Sequence, residues 1–129
     1  MEIEDLMIGD WVIHPYYKRP AKIVYFNGSR VRIEYEEVDS KSLRPIPLTP
    51  EILEKNGFSL KPDGWLWCKE KGIEDQNYIF IQFRKGCEEV RLVELKFVNN
   101  VQSKFERRRY VHELQHAMRM CNINKTIEL

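Results

Sequence analysis

Cysteine is scarce in this chain, and neither sign of charge is in marked excess. The three cysteines, Cys68, Cys87 and Cys121, stand far apart with no CxxC pair among 129 residues. That spacing is too wide for a cysteine metal cluster, and the odd number argues against a disulfide framework. It predicts reduced, packed thiols and a cytoplasmic protein. Lys and Arg number 21 against 20 Asp and Glu, a net charge of +1. No overall basic field therefore draws the chain to nucleic acid, and local patches must carry any electrostatic argument. No stretch approaches the ~20 apolar residues of a membrane helix. The opening MEIEDLMIGD is acidic and lacks the apolar run of a secretory signal. A Gly-rich phosphate loop, a nucleophile elbow and a Cys/His dyad are missing too. What remains is enough for a core, with 43% hydrophobic and 32% charged residues. The length suits one domain or two very small ones.

The first 48 residues read as short strands. In GDWVIH (9–14), Trp11 and Ile13 alternate with Val12 and His14. AKIVYF (21–26) follows, and Asn27-Gly28 is a two-residue hairpin signal. RVRIEYEEV (30–38) sets Val31, Ile33 and Tyr35 on one face and Arg32, Glu34 and Glu36 on the other. Strands this short and this close predict a small, curved, SH3-like barrel over 1–48.

Residues 49–129 read as an α+β region, either separate or packed with the first as one unit. Thr49 is a helix N-cap, Pro50 suits the first helical position, and Gly57 sits where a helix ends. This predicts a helix over 50–56. GWLWCKE (64–70), NYIFIQFRK (77–85) and EVRLVELKF (89–97), split by turns carrying Gly72 and Gly86, predict an antiparallel meander. A fourth short strand is expected near Phe105, then a helix from Tyr110 to Cys121 packed on the sheet, then a tail that could be an edge strand. The expected fold class is thus α+β: a small barrel, then an antiparallel sheet against a C-terminal helix.

IGDWV and RPAKIVYFNGSRVRIEY resemble the start of small SH3-like barrels, over about a third of the chain. PIPLTPEILEKNGF and YVHELQHAMRMC resemble a group of small uncharacterised proteins from phages and mobile elements of gut Bacteroidetes, over nearly the full length. In that group glutamine is common where this chain has Glu113. The group implies no activity.

One motif is chemically sharp. His112, Glu113 and His116 spell H-E-x-x-H, in which two histidines one helical turn apart hold zinc and the glutamate activates its water. A zinc hydrolase needs a third protein ligand. The extended motif would place a glycine and a histidine at Arg119 and Asn122, and the only acid after His116 is Glu128. On a helical wheel Val111, Leu114, Met118 and Cys121 form the apolar stripe, and the two histidines fall roughly opposite it, beside Arg119. The plainer expectation is a solvent- or partner-facing histidine pair, with no metal.

Two further patches carry contact chemistry. Lys104, Arg107, Arg108 and Arg109 lie beside Phe105 and Tyr110, a pattern that fits phosphates and stacking or, more plainly, a solvated connector. The acids Glu34, Glu36, Glu37 and Asp39 either answer those arginines or form a wet face. Tyr16, Tyr17, Lys18 and Arg19 form an aromatic and basic loop, which either meets a partner or packs to close the barrel. Trp65 and Trp67 share a strand face, as core or as a patch. Together these features predict a non-enzymatic binding or adaptor protein with a protein partner, or else nucleic acid. The alternative class is a zinc-dependent hydrolase.

Overall fold

Alternation of apolar and polar residues produces the strands that dominate the chain. The computed structural model describes residues 1–57, 61–62, 65–71, 77–84, 90–97, 102–106, 110–120 and 126–129, with side chains described for 1–57, 110–120 and 126–129. Two compact units emerge: Met1–Ile46 with Tyr110–His112, and Pro47–Arg109 with Glu113–Leu129.

The first unit holds five strands: β1 (Trp11–Ile13), β2 (Pro20–Asn27), β3 (Arg30–Ile33), β4 (Glu36–Asp39) and β5 (Arg44–Pro45). They form one antiparallel sheet in the order β4-β3-β2-β1-β5. The expected barrel is corrected here. The sheet is not closed, and β4 and β5 are its two edges. A register shift between Ile23 and Tyr25 bulges β2, which leaves the neighbours Val24 and Tyr25 both exposed. One face buries Val12, Ala21, Ile23, Val31, Ile33 and Val38 with Leu6 and Leu43, and Met1, Ile3 and Phe26 pack against them. That inward set follows from the period-2 pattern of the sequence.

Two turns differ from expectation. The β2–β3 loop is Gly28-Ser29, since Asn27 pairs with Arg30. Gly28 takes φ +62 at the first central position, the pattern of a II′ turn. The second difference lies inside 30–38, which is a hairpin and not one strand. Ile33 pairs with Glu36 across Glu34-Tyr35, and Glu34 takes φ 52. Tyr35 therefore leaves the face of Val31 and Ile33 and stands 89% exposed.

In the second unit, α1 (Pro50–Lys55) begins as the sequence predicts. Thr49 Oγ1 accepts from the Ile52 N–H at 3.3 Å, and Gly57 follows the helix with φ 82. Strands β6 (Lys61–Pro62), β7 (Trp65–Lys71), β8 (Asn77–Arg84), β9 (Val90–Phe97) and β10 (Gln102–Glu106) form a second antiparallel sheet in the order β10-β9-β8-β7-β6. The expected meander and the short strand around Phe105 are thus present, with β6 added. The facing of Trp65 and Trp67, the thiols of Cys68, Cys87 and Cys121, and the packing of a helix on this sheet lie outside the described residues and side chains.

An amide side chain holds the C-terminal tail. Asn56 caps α1 with its Nδ2–H donating to the Ile52 carbonyl at 2.7 Å. The same side chain donates to the Glu128 carbonyl at 2.7 Å and accepts from the Glu128 N–H at 2.6 Å. Asn56 thereby stands in for a neighbouring strand's peptide group, and Ile127 beside it is fully buried.

α2 (Val111–Met120) starts where the Val111 N–H donates to the Ile46 carbonyl at 2.9 Å, which ties the start of the helix to the end of the first sheet. No helix among the described residues is long and apolar enough to cross a membrane.

Candidate functional site

The histidine pair on α2 is the first candidate, and the structure corrects its expected setting. Val111, Leu114, Ala117 and Met118 are buried, as the stripe predicts. His112 is buried too, at 6% exposure, and so is Gln115. Glu113 and His116 are half-buried, and only Arg119 and Met120 are exposed. The helix is thus buried around most of its circumference, which marks an internal element and not a surface one. The wheel failed because it counts polar residues as outside, whereas His112 and Gln115 are polar groups taken inside. His112 stacks on the Tyr110 ring, with centroids 5.9 Å apart and planes at 12°. Among the described residues no group of three His, Cys, Asp or Glu could hold a metal ion. His112 and His116 supply two imidazoles on one helix, and the described residues add no third ligand of the kind a zinc site requires.

The basic cluster offers less to build on. Lys104 lies on β10, and its side chain, with Arg107, Arg108 and Arg109, lies outside the described residues and side chains. The acidic run has partners of its own in the first unit. Glu37 accepts from the Tyr25 hydroxyl at 3.1 Å, and its carboxylate lies 3.9 Å from Arg30. Asp39 caps the following 3₁₀ turn by accepting from the Lys41 N–H at 3.0 Å.

The third candidate, the loop between β1 and β2, has the most developed geometry. It is organised by His14, which is 1% exposed. The His14 N–H donates to the Arg19 carbonyl at 2.8 Å, and its carbonyl accepts from the Lys18 N–H at 3.0 Å. Nδ1 of the imidazole accepts from both the Tyr16 N–H, at 3.1 Å, and the Tyr17 N–H, at 3.2 Å. This is the arrangement in which Asp or Asn side chains normally nucleate turns, here performed by a histidine ahead of Pro15. Lys18 completes the reversal at φ 53.

The rings of Tyr16 and Tyr17 consequently do not pack into the sheet. They are 74% and 61% exposed, while Tyr17 keeps one face on the His14 ring at 4.6 Å. The packing role that the sequence suggested for these tyrosines falls to His14, with Pro15 half-buried beside it.

The β3–β4 turn is fixed beside this loop. The Arg19 guanidinium makes a two-pronged pair with the Glu34 carboxylate, one prong at 2.7 Å, and lies 5.5 Å over the Tyr17 ring. The hydrogen bond from Arg19 holds the Glu34 carboxyl below its ordinary range, and the same bond raises Arg19. Nε2 of His14 lies 3.4 Å from the Glu36 carboxylate. Two turns distant in sequence thus form one framework carrying Tyr16, Tyr17 and Tyr35 outward.

The sequence names Tyr16, Tyr17, Lys18 and Arg19 as a contact loop but gives His14 no role there. It sets Glu34 against other arginines or on a wet face, and puts Tyr35 on the inner face. The His14-Pro15 dipeptide was the available signal, since a hydrogen-bonding residue before proline favours turn initiation. Glu34-Tyr35 carried none. No protein-family model, no curated protein and no solved structure matches this chain.

Proposed function

We propose that this chain is a non-enzymatic binding or adaptor protein of the cytoplasm, of the phage or mobile-element type its sequence resembles. Its partner is a protein, met by Tyr16, Tyr17 and Tyr35. The observation that carries this reading is the exposure of three tyrosines on two turns braced by His14 and by the Arg19–Glu34 pair. Tyrosine offers a large, stiff, amphipathic contact at low entropic cost, and interfaces are enriched in it. A loop held by four internal bonds and by the Arg19–Glu34 pair loses little freedom on binding. The strand order, the bulged β2 and the 3₁₀ turn Ser40–Ser42 before β5 support an open, SH3-like reading of the sheet.

Nucleic acid is the second partner class, through Tyr stacking with Lys18 and Arg19 and through Arg107, Arg108 and Arg109. It has less support, because Arg19 is engaged by Glu34, and the carboxylates of Glu34 and Glu36 flank Tyr35. The rival class is a zinc-dependent hydrolase with His112 and His116 as ligands and Glu113 as base. A buried His112, and no third ligand among the described residues, give it less support still.

A photo-crosslinking residue placed at Tyr35, and separately at Val24 on the bulged strand, tests the proposal in cells. The reading expects one protein adduct from position 35 and none from position 24. Equal adducts from both positions, or oligonucleotide binding that fades with salt, would count against it.

A further inference from the structure

We propose that His14 is a proton-operated latch for the aromatic loop: adding a proton at Nδ1 releases Tyr16 and Tyr17 from the conformation seen here. The inference is independent of what the loop binds. It starts from hydrogen-bond chemistry. Nδ1 accepts two backbone N–H groups, at 3.1 and 3.2 Å, so it carries a lone pair and no hydrogen. The neutral ring therefore has its proton on Nε2, with the Glu36 carboxylate 3.4 Å away. Only one site is left for a second proton, and it is the acceptor of the loop. Protonation there sets a donor against two donors and orphans both amides, and a ring that is 1% exposed has no water to substitute.

The groups around the imidazole act in opposite directions. Glu36 from β4 favours the imidazolium through Nε2. The Tyr16 and Tyr17 amides oppose it at Nδ1, and the Tyr17 and Tyr16 rings stand at 4.6 and 5.9 Å. On the same loop Lys18 is exposed, and the charge of Arg19 is already answered by Glu34 from the β3–β4 turn. On β5, Arg44 pairs with Ile13, next to His14, with its side chain exposed. Acid thus strengthens the contact to Glu36 while breaking the one that shapes the loop. A histidine used as a turn acceptor differs in this from the asparagine that usually holds such a position, whose oxygen does not titrate in this range.

The test is a nitrogen-15 NMR titration of the whole chain from neutral to about pH 4, which spans the imidazole range. At neutral pH the ring is expected as the Nε2–H tautomer. As the ring protonates, the Tyr16 and Tyr17 amides shift with the same midpoint, and their protection factors fall roughly tenfold, the loss of about one hydrogen bond each. His14→Asn places an oxygen where Nδ1 stands, so it should keep both amides protected across the range. The proposal is overturned by any of four results: an Nδ1–H tautomer, a ring that stays neutral throughout, a ring that protonates while both amides stay fixed, or an H14N loop that opens with the wild-type midpoint. The last would hand the transition to Glu34 or Glu36. If the variant does not fold, the wild-type titration decides alone.

Discussion

Replacing Asn56 with alanine should unfasten the C-terminal tail, at a cost that the structure sets. The side chain is buried and makes three hydrogen bonds of 2.7 Å or less, two of them to the backbone of Glu128. Asn56→Ala orphans the Ile52 carbonyl and both backbone groups of residue 128. Each orphan costs about 1 kcal/mol, the low end of the usual range, because Glu128 is exposed and water can reach it. The expected loss is about 3 kcal/mol. If the tail detaches, Ile127 leaves a fully buried position, which adds up to about 2 kcal/mol. Urea unfolding reads the difference directly, and a thermal midpoint should fall by roughly 4 °C per kcal/mol. Asn56→Asp should cost no less. It keeps an acceptor for the Glu128 N–H but faces two carbonyls with a group that no longer donates. Ile127→Ala combined with Asn56→Ala should cost less than the two separately, since both release one segment. A loss under about 0.5 kcal/mol for Asn56→Ala, or strict additivity in the pair, would refute the clamp.

Three other expectations follow from particular residues. Glu34 is held below its ordinary range by Arg19, so the pair's stabilisation is present above the unfolded carboxyl pKa and is lost as pH falls through the lowered folded one. An NMR titration should show the Glu34 midpoint rising in Arg19→Ala, and an unmoved midpoint would deny the pairing. Gly28→Ala meets no atom within 4 Å but must adopt φ +62, so it should destabilise by about 1–2 kcal/mol in urea unfolding, with Gly28→Asn milder. Excess zinc should leave the thermal midpoint of the wild type unchanged; a rise that disappears in His112→Ala/His116→Ala would restore the hydrolase reading.

Much of the fold was legible because it rests on local rules. The alternation of Val12, Ile23, Val31 and Ile33 fixed the inner face, and Thr49, Pro50 and Gly57 marked α1 at both ends. The illegible parts rest on tertiary partners. Nothing local breaks 30–38 at Glu34-Tyr35, where glycine, proline and asparagine are all missing. The turn is held from outside by Arg19. Closure of the sheet depends on whether two distant edges meet, which no strand pattern encodes, and they do not. Burial of His112 and Gln115 follows from what surrounds α2, a quantity absent from its own ten residues. The candidate surface was half visible for the same reason: Tyr16 and Tyr17 announced themselves by composition, whereas Tyr35 joined them only through pairing across the sheet.

The central claim is that the three tyrosines form one contact surface. Its most direct test measures the dissociation constant of the protein crosslinked at position 35 against wild type and against Tyr16→Ser, Tyr17→Ser, Tyr35→Ser and the control Tyr25→Ser. Tyr25 is also exposed, but it lies on the sheet and is bonded to Glu37. The account predicts losses of about tenfold or more at 16, 17 and 35, near 1.4 kcal/mol each, with the control unchanged. Wild-type affinity in all three, or an equal loss at Tyr25, would contradict it.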